Sequence, residues 1–335
     1  MRIDLSDIEA AQRVIIGQAD ATPMFASPFM TAAAGQPFWY KCELMQPIGA
    51  FKLRGAMNAV ANLPEGTRGV TCCSTGNHGR GVAYAAAKAG LRAVICMSEL
   101  VPGAKVEGIK ALGAEVRIVG RSQDDAQIEV LRLVAEEGLA EISPFDDRHV
   151  IAGQGTIGLE MLAVCPELEA IYVPLSGGGL AAGVAIAAKA LSPAIKVYGI
   201  SMESGAAMYE SLQAGAPVDV KEWPSLADSL GGGIGLNNRF SFALCQGLLD
   251  DVVLVSEAEI YHAMQVLFYE DRMVAEGGSV VALAAMLTGK LPKPQGPVAT
   301  ILSGRNADMA QVSRIMAGQS VMLGGVELKG RPYGT

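Results

Sequence analysis

The chain has 335 residues, 50% of them hydrophobic and 18% charged, with a formal net charge of −8. That length exceeds one small core and suits one large domain or two cooperating ones. The acidic balance excludes a nucleic-acid footprint, which needs concentrated Lys and Arg, and no apolar stretch reaches the roughly 20 residues of a membrane helix.

The segment up to Asp20 alternates Asp, Glu and Arg with apolar residues at helical spacing. It lacks the basic start and apolar run of a secretory signal, so a cytoplasmic protein is expected. Next comes Gly49-Ala50-Phe51-Lys52-Leu53-Arg54-Gly55, in which two cations flank a leucine at the start of an amphipathic stretch. A lone lysine in such a place is ordinarily solvated. Phe51 and Gly49 also suit a lysine turned inward, where burial lowers its pKa toward the nucleophilic form. These residues alone leave both readings open.

Short β-branched runs then alternate with Ala-rich helical patterns. A strand at 70–73 runs into the loop Ser74-Thr75-Gly76-Asn77-His78-Gly79 and a helix that stops at Gly90. A strand at 93–97, a helix through 105–112, a strand at 115–119 and a charged helix over 124–137 follow. This alternation reads as parallel βαβ winding, because parallel strands need long crossovers. The second half repeats it, with strands at 170–175, 196–201, 252–255 and 298–302 and helices between them. Two winding modules, joined by a polar segment around 143–148, imply two lobes and a cleft.

In open α/β sheets ligands bind beyond the carboxyl ends of the strands. Three glycine-bearing loops occupy that place: 74–79, 176–180 and 303–306. Ser176-Gly177-Gly178-Gly179-Leu180 presents consecutive N–H groups, unobstructed by Cβ atoms, before a helix N-terminus, which suits a phosphate. A glycine turn that lets the helix pack on the sheet has the same sequence. The loop lacks both Walker A residues and G-x-G-x-x-G spacing. The 74–79 loop suits a substrate carboxylate, or ordinary N-capping by Ser74 or Thr75. Cys42, Cys72, Cys73, Cys96, Cys165 and Cys245 form no C-x-x-C pair and read as buried thiols of a reducing compartment, Cys72 and Cys73 on opposite faces of one strand. His149 and His262 have no metal-ligand spacing and read as structural or surface residues.

Five motifs in order carry a resemblance: FKLRGA around Lys52, STGNHG at 74–79, VIAGQGTIGLE at 150–160, PLSGGGLAAG at 174–183 and LSGRN at 302–306. From about Thr22 to Met309 the chain resembles the threonine dehydratase and serine racemase group of fold-type II pyridoxal-phosphate (PLP) enzymes. SQDDAQ at 122–127, PSLADSLGGGIGLNNR at 224–239 and SGRN in place of the commoner SGGN are similar to the hydroxyectoine-utilisation dehydratases within that group. The resemblance implies an α/β fold of the tryptophan synthase β type, with two open, twisted, mainly parallel sheet domains. Residues 1–65 plus 147–335 would form the large PLP-binding domain and 66–146 the small one, with the cofactor in the cleft and a homodimer as the usual assembly.

By the same resemblance, Lys52 would carry PLP as a Schiff base and act as base at the substrate Cα, with Phe51 packed beside the ring. Asn77 would bond the 3′ oxygen of PLP, and Ser176, Gly177, Gly178, Gly179 and Leu180 its phosphate. Ser303 would face the pyridine nitrogen, and Glu276 would sit near the ring edge. Ser74, Thr75, Asn77 and His78 would hold the substrate carboxylate. The implied reaction is loss of water from a small β-hydroxy-α-amino acid of the serine, threonine or hydroxyaspartate type, ending in a 2-oxo acid and ammonia, with a hydroxyectoine breakdown product as one such substrate. Racemisation or β-replacement on the same scaffold is the alternative.

Departures from the family pattern narrow this. Ala50 replaces a serine that often precedes Phe-Lys. Thr75 stands where serine racemase places its second base; it keeps a hydroxyl, but its methyl group counts against racemisation. Ser201 and Ala207 fall where the family's cation site has carboxylates, so no metal is expected despite nearby Glu203. Gly232 and Gly233 stand where relatives carry serines near the substrate. Nothing the size of a regulatory domain follows Met309, so feedback through one is not expected.

Overall fold

The computed structural model describes residues 3–74, 76–99, 101, 103–121 and 123–334. Ten strands build two sheets: β1 (Met24–Ala26), β2 (Phe38–Lys41), β3 (Val70–Cys73), β4 (Ala93–Met97), β5 (Glu115–Ile118), β6 (Ala140–Glu141), β7 (Ala170–Pro174), β8 (Lys196–Met202), β9 (Asp251–Val255) and β10 (Val298–Ile301). The larger sheet has the order β1-β2-β10-β7-β8-β9 and the smaller β5-β4-β3-β6. β1 pairs antiparallel with β2, Met24 opposite Lys41, and every other neighbour in the two sheets is parallel. The expected mainly parallel α/β architecture is therefore present. The last strands of the chain, Val321–Leu323 and Val326–Leu328, form a separate hairpin.

Parallel sheets are covered on both faces, so their central strands carry apolar residues throughout. β4 and β7 are buried along their whole length. Cys72 and Cys73 do face opposite sides of β3: Cys72 joins Val82 and Ile95, while Cys73 packs against Val94, Cys96 and Leu133. Among the described residues, no helix is long and apolar enough to cross a membrane.

The helix Arg148–Val164 lies at backbone contact against two others, Lys52–Ala61 on one side and Gly179–Leu191 on another. The glycines of the VIAGQGT motif permit this approach. A Cβ on Gly153 would lie 2.7 Å from the Arg54 carbonyl oxygen, and one on Gly155 would lie 2.8 Å from that of Gly183. The third helix starts at Gly179, two residues earlier than the Ala-rich pattern indicates, because Gly178 caps it in the left-handed region at φ +89°.

Beneath the helix Lys52–Ala61 lies a buried ionic cluster. Arg54, 1% exposed, donates from Nε and Nη2 to Glu43 (2.8 Å each) and from Nη1 and Nη2 to Glu160 (2.6 and 2.8 Å). Nη1 also reaches Thr156 Oγ1 at 3.1 Å and Nη2 the Asp20 carbonyl at 3.0 Å. Lys41 Nζ adds a second cation, 2.5 Å from Glu160 and 2.6 Å from the Thr22 carbonyl. Burial pushes the Glu43 carboxyl up, but Arg54 outweighs it and holds the group below its ordinary value. Two cations and two carboxylates balance, which makes burial of Arg54, Lys41 and Glu43 beside the half-buried Glu160 tolerable.

Removing one partner leaves uncompensated charge in a dry site. Arg54→Ala should therefore cost about 3–5 kcal/mol, read as a lower urea midpoint, and an unchanged midpoint would show that the cluster contributes nothing to stability.

Candidate active site

Three loops leave the carboxyl ends of β3, β7 and β10, and Lys52 opens the helix Lys52–Ala61 beside them. The backbone before Lys52 is laced to the β10 loop: Phe51 N donates to Ser303 O, Arg305 N donates to Gly49 O, both at 2.9 Å, and Ala50 bridges Gly304. Lys52 and Ser303 are thus held in fixed register. Lys52 Nζ donates to Pro144 O at 2.5 Å and stands 5.2 Å from the Phe51 ring centroid. It pairs with no carboxylate among the described residues, and burial draws its pKa from 10.5 down to about 8. The inward reading of Lys52 is the one the structure shows.

Ser303 is buried, its Oγ 3.0 Å from Ser279 Oγ. Ser279 Oγ in turn donates to Gly304 O (2.9 Å) and accepts from Gly304 N (2.8 Å). Those two bonds use the Ser279 hydrogen on Gly304, so the Ser303 hydroxyl is the donor within the serine pair. Glu276 N donates to Gly304 O at 3.0 Å, and the buried Glu276 carboxyl accepts from Asn77 Nδ2 at 3.0 Å to each oxygen. Burial pushes this carboxyl up, while the Asn77 and Asn306 donors pull it back.

The glycine loop is linked to Lys52 through the adjacent residues Phe145 and Pro144. The backbone N–H groups from Gly177 to Ala181 are buried and donate to no acceptor among the described residues. A Cβ on Gly177 would lie 2.2 Å from the Phe145 ring, and one on Gly179 would lie 2.7 Å from Phe145 O. The glycines are thus required by close packing against Phe145 rather than by packing of the helix on the sheet, and the unpaired amides leave the loop open to an anion as well.

At the β3 loop, Gly76 N donates to Ser74 Oγ at 3.4 Å, and the amides of Asn77, His78 and Gly79 meet no acceptor among the described residues. The His78 side chain turns away to Ile142 O, Nε2 at 2.7 Å, and burial drops its pKa to about 3. With a carbonyl as partner, the neutral ring must carry its proton on Nε2, so His78 offers a ligand only its backbone N–H. Thr75 lies outside the described residues. Ser201 and Ala207 are buried, and Glu203 pairs with Lys290 at 3.2 Å.

Five contributors lacked a role in the sequence reading: Ser279, Asn306, Pro144, Phe145 and Asp146. The last three lie in the segment read only as a polar link between modules. Asp146 accepts from the backbone N–H groups of Arg239 (2.6 Å), Phe240 (2.8 Å) and Ser241 (2.9 Å). It thereby pins the helix Ser241–Leu248 against the cradle, where Cys245 Sγ donates to Gly178 O at 3.6 Å.

An inward lysine with a lowered pKa, a row of unpaired amides for a phosphate and a buried serine in the loop laced to the lysine's own backbone fit pyridoxal phosphate. The comparisons agree. Residues 16–304 match the family described as pyridoxal-phosphate dependent enzyme. The chain is 51% identical over 318 residues to a putative threonine dehydratase of Sinorhizobium fredii, covering 94% of this chain and 96% of the relative. It is 38% identical over 316 residues to the L-threonine ammonia-lyase of Thermotoga maritima, covering 94% and 78%. The maize serine racemase structure superposes with a TM-score of 0.88 at 31% identity, covering 95% of this chain and 98% of that one.

With relatives named threonine dehydratase and threonine ammonia-lyase, the chain is a PLP-dependent lyase. The chain belongs to the pyridoxal-phosphate-dependent enzyme family, and its cofactor is pyridoxal phosphate.

Two outcomes follow from this geometry. Capture of PLP by the apoprotein needs neutral Lys52, so its rate should climb with pH through a midpoint near 8 and level off above it, rather than have its midpoint near 10.5. Stopped-flow absorbance measures it, and a midpoint at the ordinary lysine value would contradict the burial argument. Asp146→Ala should weaken PLP binding about tenfold yet spare pyridoxal, which has no phosphate; equal losses for both would separate Asp146 from the cradle.

Proposed function

We propose that the protein is a dehydratase, or ammonia-lyase, acting on a small β-hydroxy-α-amino acid. The observation that supports this reading is Lys52, an amine paired with no described carboxylate, held on Pro144 O beside the Phe145 that packs on the glycine loop and bonded through the Phe51 backbone to Ser303. Bound PLP supplies an electron sink for the pair left at the substrate Cα.

The chain's own residues do the rest. The Lys52 amine takes the Cα proton, and Pro144 O holds one of its N–H groups so that the lone pair keeps one direction. The amides of Gly177, Gly178, Gly179 and Leu180, with the Ser176 hydroxyl, bind the phosphate, and Phe51 lies beside the ring. The first-turn amides of the helix Asn77–Lys88, with Ser74, hold the substrate carboxylate against a helix N-terminus. Asn77 donates to the ring oxygen, and Glu276 stays at the ring edge. Ser303 offers the ring nitrogen its hydroxyl oxygen, the hydrogen being held by Ser279. A hydroxyl enforces a proton there less than a carboxylate does, which favours prompt loss of a β-hydroxyl group over prolonged carbanion life.

The finer reading is a substrate drawn from hydroxyectoine breakdown, supported by the SQDDAQ, PSLADSLGGGIGLNNR and SGRN segments. It comes with a cytoplasmic homodimer in which residues 66–146 form a small domain against 1–65 plus 147–335. The likeness to maize serine racemase supports a second reading, racemisation at Cα.

A screen for 2-oxo acid and ammonia release over serine, threonine, 3-hydroxyaspartate and hydroxylated diaminobutyrates tests the first reading, with chiral analysis of unreacted substrate for the second. Release of both products is expected, together with loss of visible cofactor absorbance and at least about a hundredfold loss of rate in Lys52→Ala. PLP-loaded enzyme that inverts serine and releases no oxo acid would replace dehydration by racemisation.

A further inference from the structure

Asn306 ends the loop that carries Ser303, and its hydrogen bonds determine more than its own position. A side-chain amide has a donor end and an acceptor end of nearly equal shape, so only its partners decide which way it faces. Asn306 Nδ2 lies 2.9 Å from Ile48 O. A backbone carbonyl can only accept, which fixes that end of Asn306 as the donor. The same nitrogen lies 2.6 Å from the Asn77 side chain, which must therefore present its oxygen. Asn77 Nδ2 is left to face Glu276, 3.0 Å from each carboxylate oxygen.

The chain of polarity closes on itself. The Asn306 backbone N–H donates to Glu276 Oε1 at 2.8 Å, so one residue sets the acceptor end of Asn77 and also holds the carboxylate that receives its donor end. Gly304 makes room for this: a Cβ there would lie 2.7 Å from Glu276 Oε1 and 3.1 Å from Asn77 Nδ2. Reversing Asn77 would set its oxygen against a carboxylate and against an anionic ring oxygen in the cleft, which is doubly unfavourable.

We propose that Asn306 is a positioning residue that fixes the Asn77 amide with its N–H face toward the ring oxygen of the cofactor. The inference rests on the cofactor reading and on Asn77 as the ring-oxygen donor. It gives the asparagine of SGRN an electronic effect, because a steady N–H on the ring oxygen determines how charge is shared between that oxygen and the lysine-bound nitrogen. The absorption spectrum reports that sharing.

Asn306 is exposed, so its replacement opens no core cavity. Asn306→Asp keeps the shape, removes both side-chain donors and sets a negative charge beside the Asn77 oxygen. The holoenzyme's visible band should shift, the pH midpoint of that band should move, and the PLP dissociation constant should rise about tenfold, with a thermal midpoint close to the parent's. Asn306→Ala, which removes the relay without adding charge, should give a smaller change in the same direction. Asn77→Ala should show the full effect, and adding Asn306→Asp to it should change little more, because both act through one amide. An unchanged band and pH midpoint in Asn306→Asp, or additive effects in the double variant, would overturn the proposal. Lys52→Ala separates the two levels: if the parent binds PLP without a lysine-dependent band, the cofactor reading fails, whereas a normal lysine-dependent band with an indifferent Asn306 fails only this inference.

Discussion

The site depends on Arg54 being buried. Arg54 and Lys52 are two residues apart, which on a helix turns their side chains to nearly opposite sides. Arg54 goes down into the cluster of Glu43, Glu160 and Lys41, and Lys52 goes up toward the cleft. The planar guanidinium fork engages both carboxylates at once, which a lysine in its place would not do. The cluster thus anchors the helix start and consumes the nearby anions. Lys52 is left with a carbonyl and an aromatic ring for neighbours, an environment that penalises its charge and makes it a nucleophile near neutral pH. Glu160, the last residue of VIAGQGTIGLE, takes its reason from the same cluster.

A second constraint is the antiparallel lacing of residues 49–51 to 303–305. It couples a helix start to a strand end some 250 residues away, and with them the lysine and the hydroxyl that PLP chemistry needs at opposite parts of one ring. Glycines serve that lacing as well. Gly49 has φ +78°, and a Cβ on it would lie 2.9 Å from Asn306 Oδ1. Both loops must therefore be small where they cross.

Legibility varied with how local each feature was. Seven of the parallel strands stood out as short apolar runs and their helix partners as Ala-rich repeats, while β6, two residues long, did not. β1 and β2 were not separable from their surroundings: the edge pair has three and four residues, too short for a period to emerge. The glycine loop was visible as a candidate cradle because a run of three glycines before a helix has few physical uses. Lys52 was ambiguous because its inward turn depends on Arg54, whose burial depends on Glu43 and Glu160, 11 and 106 positions away. His78 was placed in the right loop, yet its ring serves the loop's architecture. Asp146 left no trace at all, since its three acceptor bonds reach across about 93 to 95 positions to backbone groups, which carry no sequence signature.

That last omission concerns the segment with the most connections. Pro144, Phe145 and Asp146 are consecutive, and they touch respectively Lys52, the glycine cradle and the start of the helix Ser241–Leu248. Asp147 then caps the helix Arg148–Val164 through the amides of His149 and Val150. The segment follows β6, which ends at Glu141, so the small sheet is joined to the large one through the carbonyl that orients the lysine. The segment that leaves one sheet for the other thus meets the amine through a backbone carbonyl, with no side chain of the catalytic set needed for the contact.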